Sequence, residues 1–204
     1  MVRSHTFEEF AGMVKAFHGS VAPGIMIGGS MVDLALGCLP KEGLYDVICE
    51  TQKCLPDAVQ LLTPCSIGNG WLKIMDTGRF ALAFYDKYTG KGIRVFIDPE
   101  KLGPWPEIKA WLLKLTPKKE QDTARLMKEI EEAGSEICSV ERIQVAVDLL
   151  KKTKGGPIAL CPSCGEPYPS GRGAICPACK GGVLPYGSGP RGGGRVNTRE
   201  CTED

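Results

Sequence analysis

The chain has 204 residues, of which 43% are hydrophobic and 24% charged, with a net charge of +1. This balance is typical of a globular protein and excludes a strongly basic, nucleic-acid-binding surface over the whole chain. No apolar run reaches the roughly 20 residues that a membrane-spanning helix requires. The N-terminal residues carry acidic side chains in place of the apolar segment of a signal peptide, so we expect a cytoplasmic protein without membrane contact.

Ten cysteines are many for a chain of this length. Without an export signal, metal binding or redox chemistry is a better explanation than disulfides. Five are scattered through the first 155 residues, four lie within nineteen residues, and one lies in the tail. The scattered cysteines are Cys38, Cys49, Cys54, Cys65 and Cys138, and the tail carries Cys201.

Two amphipathic or apolar helices are predicted at the N-terminus. Phenylalanine and valine recur at helical spacing over residues 6–18, and Thr6 followed by Glu9 predicts a capping box. Pro23-Gly24 opens a second helix, roughly Ile25–Leu36. Its Gly28-Gly29 pair is a poor helix former, which suggests close approach by a neighbouring helix or a ligand.

Strands are predicted in the middle of the chain. Residues 44–49 read as a strand, and Leu55–Leu62 reads as a short helix with a proline in its first turn. Three further strands are predicted with turns at 76–78 and 89–91, which together describe an antiparallel meander. These strands are Trp71–Met75, Arg79–Tyr85 and Gly92–Ile97.

Residues 104–154 are predicted to be helical throughout. We expect helices over Ile108–Leu115, from Pro117 to about Ala133, and from Ser139 to about Lys152. Helices at both ends with strands between them indicate an α+β fold, in which helices pack on an antiparallel sheet. A regular β-α-β alternation is not predicted.

The run Lys154-Gly-Gly-Pro157 marks a domain boundary. We therefore predict an α+β core domain over residues 1–154 and a four-cysteine finger over residues 155–183. Residues 184–204 are rich in Gly and Arg and have little to bury, which predicts a flexible tail.

The finger follows from two Cys-x-x-Cys pairs. Each pair directs two thiolates to one point, and two pairs complete the tetrahedron that zinc prefers. We predict one structural zinc, since four thiolates leave no open coordination position, and metal binding supplies the folding free energy of so small a module. Disulfides, redox motifs and an iron–sulfur cluster are the alternatives. The predicted ligands are Cys161, Cys164, Cys176 and Cys179.

The role of the finger is open from the residues alone. Zinc ribbons and treble clefs bind nucleic acid or protein, and acidic residues here nearly cancel the basic ones. A protein partner is therefore the better expectation, with nucleic acid less favoured. A structural knob with a solvated surface is the simplest alternative.

Three positions in the core suggest chemistry. His18 lies at a helix end before a Pro-Gly turn. Cys54 lies at the start of a predicted helix, where the helix dipole favours the thiolate. Cys65 lies in a glycine-rich loop that lets the backbone approach a ligand. Each also has a plain structural explanation, since free cysteines are often small buried hydrophobes.

Residues 17–76 resemble the formylmethanofuran dehydrogenase E-subunit (FmdE) family, which carries Phe-His-Gly-His-x-x-Pro-Gly, Cys-x-x-Asp-Ala-x-Gln and Gly-Cys-Thr-x-Gly-x-Gly motifs. Some members also carry a C-terminal four-cysteine finger. The matching residues are Phe17-His18-Gly19, Pro23-Gly24, Cys54, Asp57-Ala58, Gln60, Cys65-Ser66, Gly68 and Gly70.

The resemblance implies an α+β core, an intertwined homodimer and a treble-clef-like finger. It also implies a core metal or redox site formed by His18, Cys54 and Cys65, with a second metal ion. One departure bears on that site, because Ser20 stands where the family has its second histidine and serine is a poor ligand for soft metals.

We therefore expect a zinc-binding accessory or regulatory protein, not catalytic alone, that would act with a formylmethanofuran dehydrogenase-type oxidoreductase. One alternative is a thiol-dependent enzyme that pairs His18 with Cys54 or Cys65 as base and nucleophile. Another is a regulator that binds nucleic acid through the finger. No catalytic residue is assigned.

Overall fold

A computed structural model describes residue 2 and residues 4–150 and 155–181. The chain divides into two compact units, residues 1–151 and 152–204. Our domain limits near residues 154 and 183 stay a prediction, because residues 151–154 and 182–204 lie outside the described residues. The predicted flexible tail, with Cys201, lies there as well.

Two N-terminal helices form as predicted. Helix α1 covers Phe7–His18 and begins with the predicted capping box, in which the Thr6 side chain accepts from the Glu9 N–H and Glu9 accepts from the Thr6 N–H. Helix α2 covers Pro23–Gly37. A Cβ added at Gly28 would lie 2.8 Å from the Ala58 Cβ of the helix that follows, so the predicted close approach is by a neighbouring helix.

The first unit is built on one five-stranded sheet, in the order β2-β1-β3-β4-β5. Helix α3 (Leu55–Leu62) connects β1 to β2. Helices α4 (Pro106–Leu113) and α5 (Thr123–Ala133) lie between β4 and β5 in the chain, and a short α6 (Val147–Leu150) follows β5. The strands are β1 (Tyr45–Cys49), β2 (Leu72–Ile74), β3 (Ala81–Asp86), β4 (Lys91–Ile97) and β5 (Cys138–Gln144).

The predicted meander is wrong in one connection. Strand β2 pairs in parallel with β1, and β3 pairs with the opposite edge of β1. The turn at residues 76–78 crosses the end of β1, where the Met75 N–H donates to the Cys49 carbonyl and the Thr77 N–H to the Glu50 carbonyl. Helix α3 supplies the crossover that a parallel pair needs. The β3–β4 hairpin is antiparallel, as predicted.

The helix predicted from Ser139 to Lys152 is also wrong. Residues 138–144 form edge strand β5, which pairs antiparallel with β4 over its whole length. Arg94 of β4 lies opposite Glu141 and donates to its carboxylate at 3.2 Å. This cross-strand pairing overrides a local sequence of no strong preference. Within the described part of 145–152, only Val147–Leu150 is helical.

The helices cover one face of the sheet. Phe10, Ile25, Leu82 and Ile108 are among its fully buried residues. The other face has a smaller cluster around Ile48, Ala83 and Tyr85, with residues of α6 packed against it. The expected α+β class, with helices on a mainly antiparallel sheet, is thus confirmed.

The second unit contains one two-stranded antiparallel sheet, β6 (Ile158–Leu160) and β7 (Pro167–Pro169). Its buried hydrophobic cluster consists of Cys161, Tyr168 and Cys176, with Ala159 packed against it. None of the described helices in either unit is long and apolar enough to cross a membrane.

Candidate metal centre and core thiols

Two equivalent turns present the cysteines of the finger. In the first, the Gly165 N–H donates to the Cys161 carbonyl at 2.8 Å, and in the second the Lys180 N–H donates to the Cys176 carbonyl at 3.0 Å. Both bonds join residue i+4 to residue i, so each Cys-x-x-Cys pair is held on one tight turn. Gly165 has φ +77°, which favours glycine directly after the first pair.

The four sulfurs converge on one point. The ligand atoms of Cys161, Cys164, Cys176 and Cys179 all lie within 4.8 Å of one another. The sulfurs of Cys164 and Cys176 are 3.9 Å apart. A tetrahedral zinc with bonds of ~2.3 Å requires sulfurs ~3.8 Å apart, whereas a disulfide requires ~2.05 Å. The geometry fits a metal ion and excludes a disulfide between these two cysteines.

Backbone dipoles favour thiolates at this point. The N–H of Cys176, together with those of Cys164 and Ser163, lowers the pKa of the Cys161 thiol to about 6. The Cys179 N–H points at the Cys176 sulfur at 3.5 Å. Cys161 and Cys176 are buried, and Cys164 and Cys179 are exposed. The set offers four soft, deprotonatable ligands and no oxygen, which suits zinc.

The predicted core residues do not assemble in the same way. Among the residues that the structure describes, the four finger cysteines form the one group of three or more ligand atoms within 4.8 Å of each other. His18, Cys54 and Cys65 are therefore not brought together as a three-ligand site within one chain. Cys65 is 3% exposed and lies 3.4 Å from the Tyr45 carbonyl, to which its thiol donates.

His18 has a partner that the sequence did not assign. Its Nδ1 lies 2.7 Å from the Asp57 Oδ2, with both side chains about one-third exposed. A carboxylate on Nδ1 fixes the ring orientation and leaves Nε2 as the acceptor for a proton or a metal. The motif that contains Cys54 also contains Asp57, so the Cys-x-x-Asp spacing was the available signal.

Cys54 has a strained backbone. Its φ is +62°, and the Leu55 N–H donates to the Lys53 carbonyl at 2.7 Å, which closes a γ-turn centred on the cysteine. Its sulfur faces the first turn of α2, where a Cβ on Gly24 would lie 2.8 Å away. Strain of this kind clusters at functional sites.

The expectation of a stabilised thiolate at Cys54 is wrong. Burial raises the pKa of the Cys54 thiol, and the Asp57 carboxylate raises it further. Burial also raises the pKa of Cys65. The helix dipole is a weaker effect here than desolvation and a neighbouring negative charge.

Comparison with known proteins follows this division of the chain. Residues 17–146 match the family model described as FmdE, molybdenum formylmethanofuran dehydrogenase operon. The chain belongs to the FmdE family. Residues 152–187 match the FmdE treble clef zinc finger, so both the core and the finger are of FmdE type.

Two similar proteins extend this result. The crystal structure of a tungsten formylmethanofuran dehydrogenase FmdE-like protein from Syntrophus aciditrophicus is 52% identical, with a TM-score of 0.84 over 91% of this chain and 97% of that one. A probable S-adenosyl-L-methionine-binding protein of Archaeoglobus fulgidus is 28% identical over 170 residues, 74% of this chain and 46% of the relative. This chain thus spans less than half the length of that relative.

Proposed function

We propose that this FmdE-family chain is a zinc-binding accessory or regulatory protein whose finger holds one structural zinc ion. The convergence of four cysteine sulfurs within 4.8 Å carries the proposal. The finger buries three residues of its own, too few for stability by hydrophobic burial. Zinc would therefore order the module and leave its surface to a protein partner.

Elemental analysis tests the metal. Zinc per chain is measured by inductively coupled plasma mass spectrometry on wild type and on Cys161→Ser, with Cys38→Ser as a matched control on an exposed core cysteine. We expect one zinc in wild type and control and none in Cys161→Ser. Zinc retained by Cys161→Ser would contradict the proposed ligand set.

A second metal in the core is a separate question. The resemblance implies one, whereas His18 and Asp57 supply two adjacent groups and the core thiols lie apart from them. The same analysis on Cys54→Ala and Cys65→Ala decides it. A count of two ions in wild type that falls to one in either variant would establish the core site, and a constant count of one would confine the metal to the finger.

The accessory role implies two associations. We propose a homodimer, by resemblance to the family, and a complex with a formylmethanofuran dehydrogenase-type oxidoreductase. Sedimentation equilibrium of the purified chain measures the first. Co-elution with a purified dehydrogenase, and the change in its activity on removal of this chain, measures the second. A chain that neither co-elutes nor changes activity would not be an accessory of that enzyme.

A thiol-dependent enzyme is the second candidate. The His18–Asp57 pair and the strained backbone at Cys54 favour it. The raised pKa values of both core thiols argue against it, because the thiolate is the nucleophile. Peptide mapping of iodoacetamide labelling tests it. One core cysteine should react at least tenfold faster than Cys38, and His18→Ala should abolish the difference. Uniform rates would end this proposal.

Nucleic-acid binding by the finger has less support. Its described residues, 155–181, carry one acidic and two basic side chains: Glu166, Arg172 and Lys180. A salt-dependent mobility shift of RNA or DNA at 150 mM salt is the measurement that would revive it.

A further inference from the structure

A cavity in the first unit lies beside the predicted glycine-rich loop. Its volume is about 540 Å³, and Cys65 and Trp71, which bracket that loop, both line it. Protein interiors rarely leave voids larger than a water molecule, whereas sites for small organic ligands measure roughly 300–1,000 Å³. Neither His18 nor Cys54 lines the cavity, so it is distinct from the His18–Asp57 pair.

The walls are mainly flat and apolar. Tyr45, Trp71 and Phe84 supply three aromatic rings, and leucines of α2 and of the segment that follows it supply the rest. The polar groups of two wall residues are already engaged. The Tyr45 hydroxyl donates to the Pro40 carbonyl at 2.8 Å, and the Cys65 thiol donates to the Tyr45 carbonyl at 3.4 Å. An aromatic body fits these walls without leaving either group unpaired.

Four charged residues line the same cavity, two of each sign. Asp46 is the most buried at 8% exposed, and Asp33 is half-buried. Lys41 is exposed, and the half-buried Lys87 holds its ammonium 5.9 Å from the Trp71 ring centroid. The innermost charge is thus a carboxylate, and the outermost is an ammonium. A ligand with both kinds of group is favoured over one with a single net charge.

We propose that this cavity binds a small amphoteric aromatic molecule, with its N–H donors directed at Asp46 and Asp33 and its acidic group at Lys87. The proposal is independent of zinc and of the finger. It gives the core domain a ligand-binding activity of its own.

A fluorescent compound of this class provides the first probe. 8-Anilinonaphthalene-1-sulfonate carries an aromatic amine and a sulfonate, and N-phenyl-1-naphthylamine has the same rings and amine without the anion. Both are titrated into the zinc-loaded full chain. We expect saturable binding of each, with the sulfonate compound the tighter.

Cavity-filling variants locate the binding. Leu36→Trp should weaken both probes at least tenfold, because Leu36 lines the cavity and is half-buried. Leu113→Trp, on an exposed leucine of α4 outside the cavity, is the matched control. Leu39→Trp is a second filling variant, used if the first unfolds at a lower temperature by circular dichroism.

A charge variant tests the assigned orientation. Lys87→Gln should weaken the sulfonate compound about threefold to tenfold and leave the neutral amine unchanged, while the exposed Lys109→Gln should change neither. The proposal is overturned if neither folded filling variant weakens binding. Equal effects of Lys87→Gln on both probes would overturn the orientation of the acidic group.

Discussion

The two units of this chain are stabilised by different physics. The core buries a continuous set of apolar side chains between its helices and one face of its sheet. The finger buries Cys161, Tyr168 and Cys176, two of which are predicted metal ligands. Stability that is spread over many contacts tolerates loss of one, whereas stability that rests on one ion does not. The comparison teaches that a mutation has to be read against the unit that contains it.

The largest predicted effect separates the two units. Cys176→Ser, or a chelator in excess, should unfold the finger, since structural zinc contributes roughly 10–16 kcal/mol of apparent binding free energy. Amide hydrogen exchange resolved by peptide should show loss of protection in 155–181 and unchanged protection in the core strands. Loss of protection in β3 and β4 as well would mean that the core also depends on the metal.

A buried ion pair in the core gives the next effect. Glu50 is 8% exposed and accepts from Arg94 at 3.1 Å and from Arg79 at 2.7 Å. Glu50→Gln should lower the free energy of unfolding by about 3–5 kcal/mol, because it leaves the half-buried Arg94 without its carboxylate. Urea denaturation followed by circular dichroism measures it, and zinc content should not change.

The same pair predicts a pH dependence. Burial alone would raise the pKa of Glu50, but the hydrogen bond and charge of Arg94, with the charge of Arg79, outweigh it and the pKa is lowered. A carboxyl with a lowered folded-state pKa stabilises the fold above its unfolded value of ~4.3, and the contribution is lost as pH falls through the folded-state pKa. The difference between wild type and Glu50→Gln should therefore shrink below about pH 4. Glu132→Gln, on an exposed residue of α5, is the control, and its difference should stay within ~0.5 kcal/mol at every pH.

Two helical glycines give a smaller effect of opposite sign. A Cβ at Gly28 would meet the Ala58 Cβ at 2.8 Å, which α3 relieves only by shifting, so Gly28→Ala should cost about 1–3 kcal/mol. Gly12, on α1, has nothing within 4 Å of its added Cβ. Gly12→Ala should stabilise by up to ~1 kcal/mol through helix propensity. Thermal unfolding of the core distinguishes the two, and equal shifts would argue against the tight α2–α3 contact.

The capping box of α1 gives the smallest effect. Thr6→Ala removes the acceptor of the Glu9 N–H and should cost about 1 kcal/mol of core stability. Thr6→Ser keeps the hydroxyl and should cost less than half as much. The midpoint of urea unfolding measures both changes. A Thr6→Ala variant as stable as wild type would show that the first turn of α1 frays.

Local signals in the sequence identified much of this fold. The Thr6–Glu9 box, the proline that opens α3 and the β3–β4 turn each depend on residues a few positions apart, so each was visible from the sequence. Strand β5 was missed because its pairing partner β4 lies more than forty residues away in the chain. The parallel β1–β2 pair was missed for the same reason.

The two candidate sites divide in the same way. The four finger cysteines lie in two short turns, and their spacing by itself determined that their sulfurs could meet at one point. The His18–Asp57 pair, the strained Cys54 and the cavity lined by Trp71 and Asp46 depend on packing between separate helices and strands. Burial also decided the protonation of the core thiols, against the helix dipole that the sequence suggested. Spacing therefore determined the metal centre, while desolvation and contacts distant in the chain, which only the tertiary structure creates, decided the core.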